Sequence, residues 1–405
     1  MSSLLLRNIS ELCTCDARRG SAPGVVENAA VVARDGLIAY VGPEQQLPHV
    51  LTRDIDAECD CGGNAVLPGF VDAHTHAVWL GERSAEYAQR AAGRTYEEIA
   101  ASGGGIKATV RATAAGTVDE LLGTARRRVR RMLEHGTTTV EVKSGYGGAH
   151  DAEMRMLDAA AALRADPDAP DVVTTYLPLH ATPDGDRAVF LNEVCERGIV
   201  AARSRAGFVD AFCDQGAFSV AECERVLSAA MRLGMRGKLH TEQLSHSGGA
   251  QLAARLGLTS ADHLEHASDT DLQALAAAAV TCVILPGASL TLGGPPPPGR
   301  RVLDADATLA IATDCNPGTC YSESMPLMVS LAVATAGVTP AEALVAATAG
   351  GAAALSLRDR GMLREGMRCD AVVLQAAHWL DVAYHLGGDV VASVVRGGVV
   401  SYEHG

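Results

Sequence analysis

Short hydrophobic runs rich in β-branched residues alternate with longer stretches of Ala, Leu and Arg through the centre of the chain. Such runs are typical of strands buried on both faces, and the stretches between them have the length of helices. Strands that alternate with helices build parallel sheets from βα units. Eight strands are predicted, at 66–72, 137–142, 172–179, 207–212, 236–239, 261–264, 280–285 and 309–313.

The number of these units predicts the fold class. Eight βα units in about 290 residues match a (β/α)8 TIM-like barrel, which is an α/β fold. In such barrels the active site lies at the carboxyl ends of the strands. Residues that directly follow the predicted strands are therefore the first candidates for chemistry.

Both ends of the chain have a different pattern. Short alternating segments separated by Asp-Gly and Gly-Pro turns occur near the N-terminus and return only after about residue 357. Because strands at both termini need partners, we predict that they pair into one small β-sandwich domain. The predicted domains are residues 1–65 with 357–405, and a barrel over 66–356.

Composition excludes several classes of protein. The 405 residues carry a net charge of -14, which argues against a nucleic-acid partner. No apolar run approaches the ~20 residues that a membrane span requires, and the first residues are too briefly apolar for a signal peptide. The 11 scattered cysteines fit a reducing compartment. We therefore expect a cytoplasmic protein.

Two histidines follow the first barrel strand, in the segment Leu67 to His76 (LPGFVDAHTH). Side chains alternate along an extended segment, so His74 and His76 project to the same side and can reach one metal ion. Alone, such a pair is more often two surface or capping imidazoles than a metal pair. The signal is strengthened by polar residues at later strand ends, which are Lys143, Tyr146, His180, His240, His263 and Asp314.

Four of these residues form a candidate ligand set. His74, His76, His240 and Asp314 offer nitrogen and oxygen donors suited to zinc or a similar divalent metal, with a position left for water. Metal coordination lowers the pKa of water from ~15.7 to about 7, so hydrolysis is the predicted reaction class. The same set accepts iron.

Two residues are candidates for proton transfer. Asp314 could take a proton from the attacking water and pass it to a leaving nitrogen, and His263 could polarise a carbonyl group or hold the hydroxide. Each has a structural alternative. His263 could be bonded to the backbone, and Asp314 could begin the turn in ATDCNPG.

Together these motifs resemble the amidohydrolase superfamily. The general likeness lies in PGFVDAHTH, the histidine after the fifth strand and the ATD that ends at Asp314. Other segments resemble a branch that opens the ring of an imidazolone in histidine degradation. They are TYEEIAASGGG (95–105), EVKSGYG (141–147), HTEQ (240–243), ADHL (261–264) and TDCNPG (313–318).

The resemblance implies a specific reaction, the hydrolysis of the cyclic amide of 4-imidazolone-5-propanoate to N-formimidoyl-L-glutamate. It implies one Zn²⁺ or Fe³⁺ per chain on His74, His76, His240 and Asp314. It also implies substrate contacts from Arg83, Tyr96, Tyr146, His180, Gln243, Asn316, Gly318 and Thr319. A small anionic substrate suits the guanidinium of Arg83, for which an ion pair with Glu82 or Glu86 is the alternative.

One position departs from many members of this superfamily. They carry Glu three residues after the fifth-strand histidine, where this chain has Gln243. Glutamine cannot act as a general base, so in the catalytic site Gln243 would only donate and accept hydrogen bonds. Proton transfer would then fall to Asp314 and His263, because Glu242 points away if the segment is extended, although a loop could turn it inward.

Other functions remain open at this point. Carboxylated lysines bridge two metals in binuclear relatives, but the SGYG after Lys143 favours a mononuclear site with a structural lysine. The alternatives are a hydrolase of hydantoin-like rings, a deaminase of an aromatic base and, least favoured because the ligands are present, a non-catalytic scaffold. A homodimer is expected from the frequency of symmetric dimers.

Overall fold

The computed structural model describes residues 2–19, 21–94, 98–99 and 102–405. The strands are β1 Ser3–Cys13, β2 Val25–Arg34, β3 Leu37–Pro43, β4 Ala57–Asp60, β5 Val66–Pro68, β6 Phe70–Asp72, β7 Thr137–Lys143, β8 Asp171–Leu179, β9 Phe208–Cys213, β10 Arg236–Thr241, β11 Ser260–His263, β12 Thr281–Ile284, β13 Leu309–Ile311, β14 Ala371–Leu374, β15 Val391–Arg396 and β16 Val399–Glu403.

Helices connect the central strands. The α-helices are Ser84–Ala91, Ile106–Ala115, Val118–Glu134, His150–Ala162, Arg187–Glu193, Ile199–Ala202, Val220–Arg232, Gly249–Leu256, Asp269–Ala277, Pro286–Leu292, Gly299–Asp304, Met325–Thr335, Pro340–Val345, Gly351–Ala354 and Asp381–Tyr384, with π turns at Val194–Gly198 and Ala346–Gly350. Short 3₁₀ turns lie at Ala17–Arg19, Glu44–Gln46, His49–Leu51 and Leu163–Ala165. No helix of the described residues is long and apolar enough to cross a membrane.

Local sequence sets where several helices begin. At each of these starts a Ser or Thr side chain accepts from the backbone three residues on, and the acidic side chain at that position accepts from the backbone of the Ser or Thr. These capping boxes are Thr117 with Glu120, Ser219 with Glu222, Ser268 with Asp271 and Thr339 with Glu342.

The eight central strands confirm the predicted barrel. β6 to β13 pair with their neighbours in chain order, and every pairing is parallel. The first and last strands meet just beyond their ends, where Thr75 bridges Cys315 and the Asp314 N–H donates to the His74 carbonyl at 3.0 Å. The ring is therefore closed at the edge where the carboxyl ends of the strands lie.

The first predicted barrel strand, 66–72, is two strands separated by Gly69. β5 pairs with β14, whereas β6 pairs with β7. The chain passes so close to β7 at this point that a Cβ on Gly69 would lie 2.3 Å from Thr138 Oγ1. A glycine between Pro68 and Phe70 thus lets the chain leave one sheet and enter the other.

The terminal strands also pair as predicted, in one hydrogen-bonded sheet. Its order is β16-β15-β14-β5-β1-β2-β3, with β4 paired to β1. Both ends of the chain therefore contribute to it. The domain boundaries, 1–65 with 357–405 and 66–356, stay a prediction, and β5 joins the terminal sheet although its residues fall within 66–356.

The helical segment 340–354 packs against the backbone of the closing strands. A Cβ on Gly350 would lie 2.1 Å from the Leu309 carbonyl oxygen, and one on Gly351 would lie 2.2 Å from the Val71 carbonyl oxygen. Neither oxygen belongs to a flexible side chain. Glycine is therefore required where this segment crosses β6 and β13.

We expect Gly351→Ala to lower the free energy of unfolding by about 1–3 kcal/mol, because the added methyl group must displace backbone. The matched change, Gly123→Ala, lies within the helix Val118–Glu134 with nothing within 4 Å of the new Cβ. It should raise the free energy of unfolding by about 0.5–1 kcal/mol through helix propensity. Urea unfolding measures both, and equal signs would contradict this account of the packing.

Candidate metal centre

The four predicted ligands meet at the carboxyl edge of the barrel. His74 and His76 follow β6, His240 lies within β10 and Asp314 follows β13. The His76 N–H donates to the Cys315 carbonyl at 3.0 Å, so the two segments are held in register. All four side chains belong to residues that are at most 3% exposed.

Their donor atoms lie close together. Asp314 Oδ1 is 3.6 Å from His74 Nε2 and 3.5 Å from His76 Nε2. His240 Nε2 is 3.2 Å from His76 Nε2. Among the described residues, the sets His74/His76/Asp314 and His76/His180/His240 each bring one donor atom per residue within 4.8 Å of one another.

The chemistry of these donors fits a cation. Burial lowers the pKa of His74 and of His76 well below 6.5, so both rings are neutral and carry lone pairs. His74 Nε2 is buried without a hydrogen-bond partner among the described residues. Two facing imidazole nitrogens and one orphaned nitrogen beside a carboxylate are what a bound metal would satisfy.

Two carboxylates contact His74 and His240 at Nδ1, the ring nitrogen that faces away from the centre. Asp262 Oδ2 lies 2.6 Å from His74 Nδ1, and Asp210 Oδ2 lies 3.0 Å from His240 Nδ1. A carboxylate that accepts from Nδ1–H fixes the ring and leaves the lone pair on Nε2. Both histidines therefore present Nε2 to the centre.

Two buried lysines balance these acids. Lys143 Nζ lies 2.7 Å from both Asp210 and Glu141, and Lys238 Nζ lies 3.0 Å from Glu141 and 3.5 Å from Asp262. Burial alone would lower the pKa of Lys143, but the carboxylates of Asp210 and Glu141 raise it above its usual value. Lys143 is thus a buried ammonium paired with two carboxylates.

His263, one of the residues predicted for proton transfer, adjoins the ligands. One of its ring nitrogens lies within 4.8 Å of nitrogens of His74 and His240. Its φ is 85° and that of Leu264 is 73°, which are conformations that bulky residues rarely adopt. Strain of this kind concentrates at functional sites.

His180 and Tyr146 form one wall of the centre. The His180 ring stacks on His76 with centroids 4.6 Å apart, and Tyr146 lies 4.9 Å from His180. His180 Nδ1–H donates a hydrogen bond to the Gly145 carbonyl oxygen at 3.2 Å. Burial lowers the pKa of His180 to about 3, so the ring is neutral.

The segment after His240 places Glu242 and Gln243 differently. Glu242 has a φ of 56°, and its carboxylate accepts from the backbone of Ser247 at 2.7 Å and Gly248 at 3.0 Å. This carboxylate supports the start of the helix Gly249–Leu256 and is turned from the centre. The Gln243 N–H donates to Asp214 at 2.9 Å.

The loop after β13 carries three predicted substrate residues. Asn316 Nδ2 donates to the Asp314 carbonyl at 2.6 Å, and its Oδ1 accepts from the backbone of Gly318 and Thr319 at 2.7 and 2.8 Å. Thr319 Oγ1 donates to Asp314 Oδ2 at 3.3 Å. Asn316 therefore holds the loop against Asp314 through its own amide.

Arg83 lies beside this loop, since a Cβ on Gly318 would be 2.7 Å from its Nη1. Its acidic partner is Glu86 at 2.8 Å. Tyr96, the remaining predicted contact, lies outside the described residues.

Four charged residues that support the site were not predicted from the sequence. They are Glu141, Asp210, Lys238 and Asp262. Their signal is a charged residue inside a strand predicted to be buried, which requires a partner at the same depth.

Glu153 supports the loop that carries Tyr146. It is buried and accepts from the Gly145 and Gly147 backbone at 2.9 and 2.6 Å. Burial raises its pKa from 4.5 to about 7. Between these values the folded state binds more protons than the unfolded state, so stability should fall as pH rises from about 4.5 to 7. In urea titrations across this range, Glu153→Gln should show a flatter dependence on pH, and an unchanged slope would contradict the shift.

Comparison with known proteins identifies the family to which the chain is related. The pattern of the amidohydrolase family matches residues 65–400. The imidazolonepropionases of Deinococcus deserti and Salinispora arenicola are each 44% identical over 98% of this chain and 99% of their own length. That of Haloarcula marismortui is 43% identical over 96% of this chain and 94% of its own.

Solved structures show the same fold at low identity. Aspergillus niger ochratoxinase has a TM-score of 0.73 at 18% identity, covering 98% of this chain and 95% of that one. An adenosine deaminase from Xanthomonas campestris with bound zinc has a TM-score of 0.70 at 20% identity, covering 98% and 92%. Together with the sequence matches, these findings show that the chain belongs to the amidohydrolase family and, within it, to the imidazolonepropionases.

Proposed function

We propose that this protein hydrolyses the cyclic amide of 4-imidazolone-5-propanoate to N-formimidoyl-L-glutamate, a step of histidine degradation. The observation that carries the proposal is the gathering of three histidines and one aspartate at the carboxyl edge of the barrel. The names of relatives 44% identical over nearly the whole chain support the choice of substrate.

The ligand set that we propose is His74, His76, His240 and Asp314, holding one Zn²⁺ or Fe³⁺ per chain. When bound, such an ion lowers the pKa of coordinated water to about 7 and polarises the carbonyl group under attack. The paired state of Lys143 supports a single ion, because a second one would need a bridging ligand that this ammonium cannot supply.

The protein's own groups move the protons in this proposal. Asp314 accepts a proton from the attacking water and returns it to the leaving ring nitrogen, and His263 holds the carbonyl oxygen from the neighbouring strand end. Glu242 takes no part, because its carboxylate is committed to backbone N–H groups.

Substrate binding falls to residues around this centre. His180 and Tyr146 supply a flat wall for the ring, and Arg83 beside Gly318 supplies the positive charge for the propanoate. Gln243, Thr319 and the loop held by Asn316 complete the proposed contacts, and Tyr96 is assigned by resemblance alone. We further propose a cytoplasmic homodimer, which sedimentation of the purified protein would test for its oligomeric state.

The test is turnover of enzymatically generated imidazolone propanoate by the metal-loaded protein, followed by loss of its ultraviolet absorbance. The absorbance should decay, the product should retain all the nitrogen of the substrate, and chelation should stop the decay until zinc or iron is restored. Release of ammonia would instead indicate a deaminase. Absence of decay at full metal content would overturn the proposal, and two ions per chain would overturn the single-ion assignment.

A further inference from the structure

Arg83 and Glu86 form an ion pair at the rim of the centre. Their side chains are only 11% and 16% exposed. Nε and Nη2 of Arg83 lie 2.9 and 2.8 Å from the same oxygen, Oε2 of Glu86. One edge of the guanidinium is therefore occupied, and no side chain or backbone group of the described residues hydrogen-bonds the edge that carries Nη1.

That remaining edge faces the loop after β13. A Cβ on Gly318 would lie 2.7 Å from Arg83 Nη1 and 3.3 Å from Asn316 Oδ1. Asn316 in turn bonds the Asp314 carbonyl at 2.6 Å. The open edge of Arg83 thus points towards the segment that begins at a proposed metal ligand.

Glu86 also binds the glycine-rich segment SGGG at 102–105. The Gly105 N–H donates to its two carboxylate oxygens at 3.2 and 3.1 Å. Gly105 has a φ of 72°, and a Cβ on Gly104 would lie 2.9 Å from Glu86 Oε1. The positive φ of Gly105 and the close approach of Glu86 to Gly104 explain why these positions are glycine. Neither residue is among the proposed metal ligands.

We propose that Glu86 is a positioning residue, which fixes Arg83 so that its Nη1 edge meets the carboxylate of the substrate. The inference rests on the proposed function, because that function supplies a propanoate. An unpaired arginine would lose side-chain entropy on binding, whereas one held by Glu86 and the Gly103–105 turn has lost it already. Glu86 and the substrate carboxylate would occupy different edges of one guanidinium.

Glu86 also has an electrostatic effect on anion binding, which opposes its effect on the orientation of Arg83. Glu86 neutralises part of the positive charge of Arg83, so if charge alone mattered, its removal would strengthen the binding of an anion. If orientation matters more, removal weakens that binding. The two effects have opposite signs, so one measurement separates them.

Glu86→Gln is the suitable variant, because its amide oxygen can still accept from Gly105 while it loses the charge-assisted bonds to Arg83. The matched control is Glu82→Gln, one residue before Arg83, where the carboxylate accepts from the Ser84 backbone at 2.6 Å and forms no ion pair among the described residues. The probes are 3-(imidazol-4-yl)propanoate and its propanamide, which differ only in the charged group.

Dissociation constants from titration calorimetry on the metal-loaded proteins provide the test. The wild type and Glu82→Gln should prefer the acid over the amide, and Glu86→Gln should lose this preference by about 10-fold while its amide binding stays unchanged. An equal or larger acid preference in Glu86→Gln, equal losses for both probes, or no preference in the wild type would overturn the inference. Turnover of imidazolone propanoate is measured separately, so failure of the proposed function is recognised independently.

Discussion

Replacing Asp314 with asparagine should lower kcat for imidazolone propanoate by about 10²–10⁴-fold. The carboxylate lies 3.5 and 3.6 Å from two histidine nitrogens, and in our proposal it both binds the ion and carries the proton. Asparagine keeps the shape and tolerates the φ of 51° at this position. It cannot accept and return a proton, so the loss reports the chemistry and not the fold.

Asp306→Asn is the matched control. Asp306 precedes β13 as Asp314 follows it, and its φ of 58° is similarly left-handed, but it is exposed at the other end of the strand. Its turnover should equal that of the wild type. Retention of more than a tenth of kcat by Asp314→Asn, at equal metal content, would show that another group transfers the proton.

Lys143→Met should lower the free energy of unfolding by about 3–5 kcal/mol, because it leaves buried carboxylates without their counter-charge. Lys143 is fully buried and lies 2.7 Å from both Asp210 and Glu141. Asp210 also orients His240, so the affinity for the metal should fall by about 10–100-fold. Urea unfolding of the metal-free protein and metal titration measure the two effects separately.

Lys107→Met provides the comparison. Its ammonium pairs with Asp184 at the surface, where its side chain is 52% exposed. Removing such a pair changes the free energy of unfolding by about 0–1 kcal/mol. If both lysine variants lost similar stability, the buried network would not be the stabilising element described above.

Much of the fold was predictable because its signals are local. Most barrel strands are short hydrophobic or β-branched runs bounded by helical sequence, and all eight predicted segments contain strands in the structure. The segment from Val66 to Asp72 was predicted as one strand although Pro68 and Gly69 interrupt it, because nothing local shows that its two halves join different sheets. Only the approach of Thr138 to Gly69, from a segment far along the chain, shows where one sheet ends and the other begins.

The candidate site was likewise predictable only in part from the sequence. The four proposed ligands were predicted because each follows a predicted strand, and the order of strands around a barrel brings strand ends together. The partners of those ligands were not, since Asp210 and Asp262 lie inside strands and meet their histidines only across the barrel. The acidic partner of Arg83 was open between Glu82 and Glu86 until the structure placed Glu86 beside it.

The way in which the barrel closes has a consequence for biosynthesis. Asp72 and Thr313, which bond each other where the ring shuts, stand 241 positions apart. His76 and Asp314 flank that junction, so a nascent chain shorter than 314 residues lacks part of the proposed ligand set. In our proposal the ion would therefore bind only after most of the polypeptide has been made, and it would link the first part of the ring to the last.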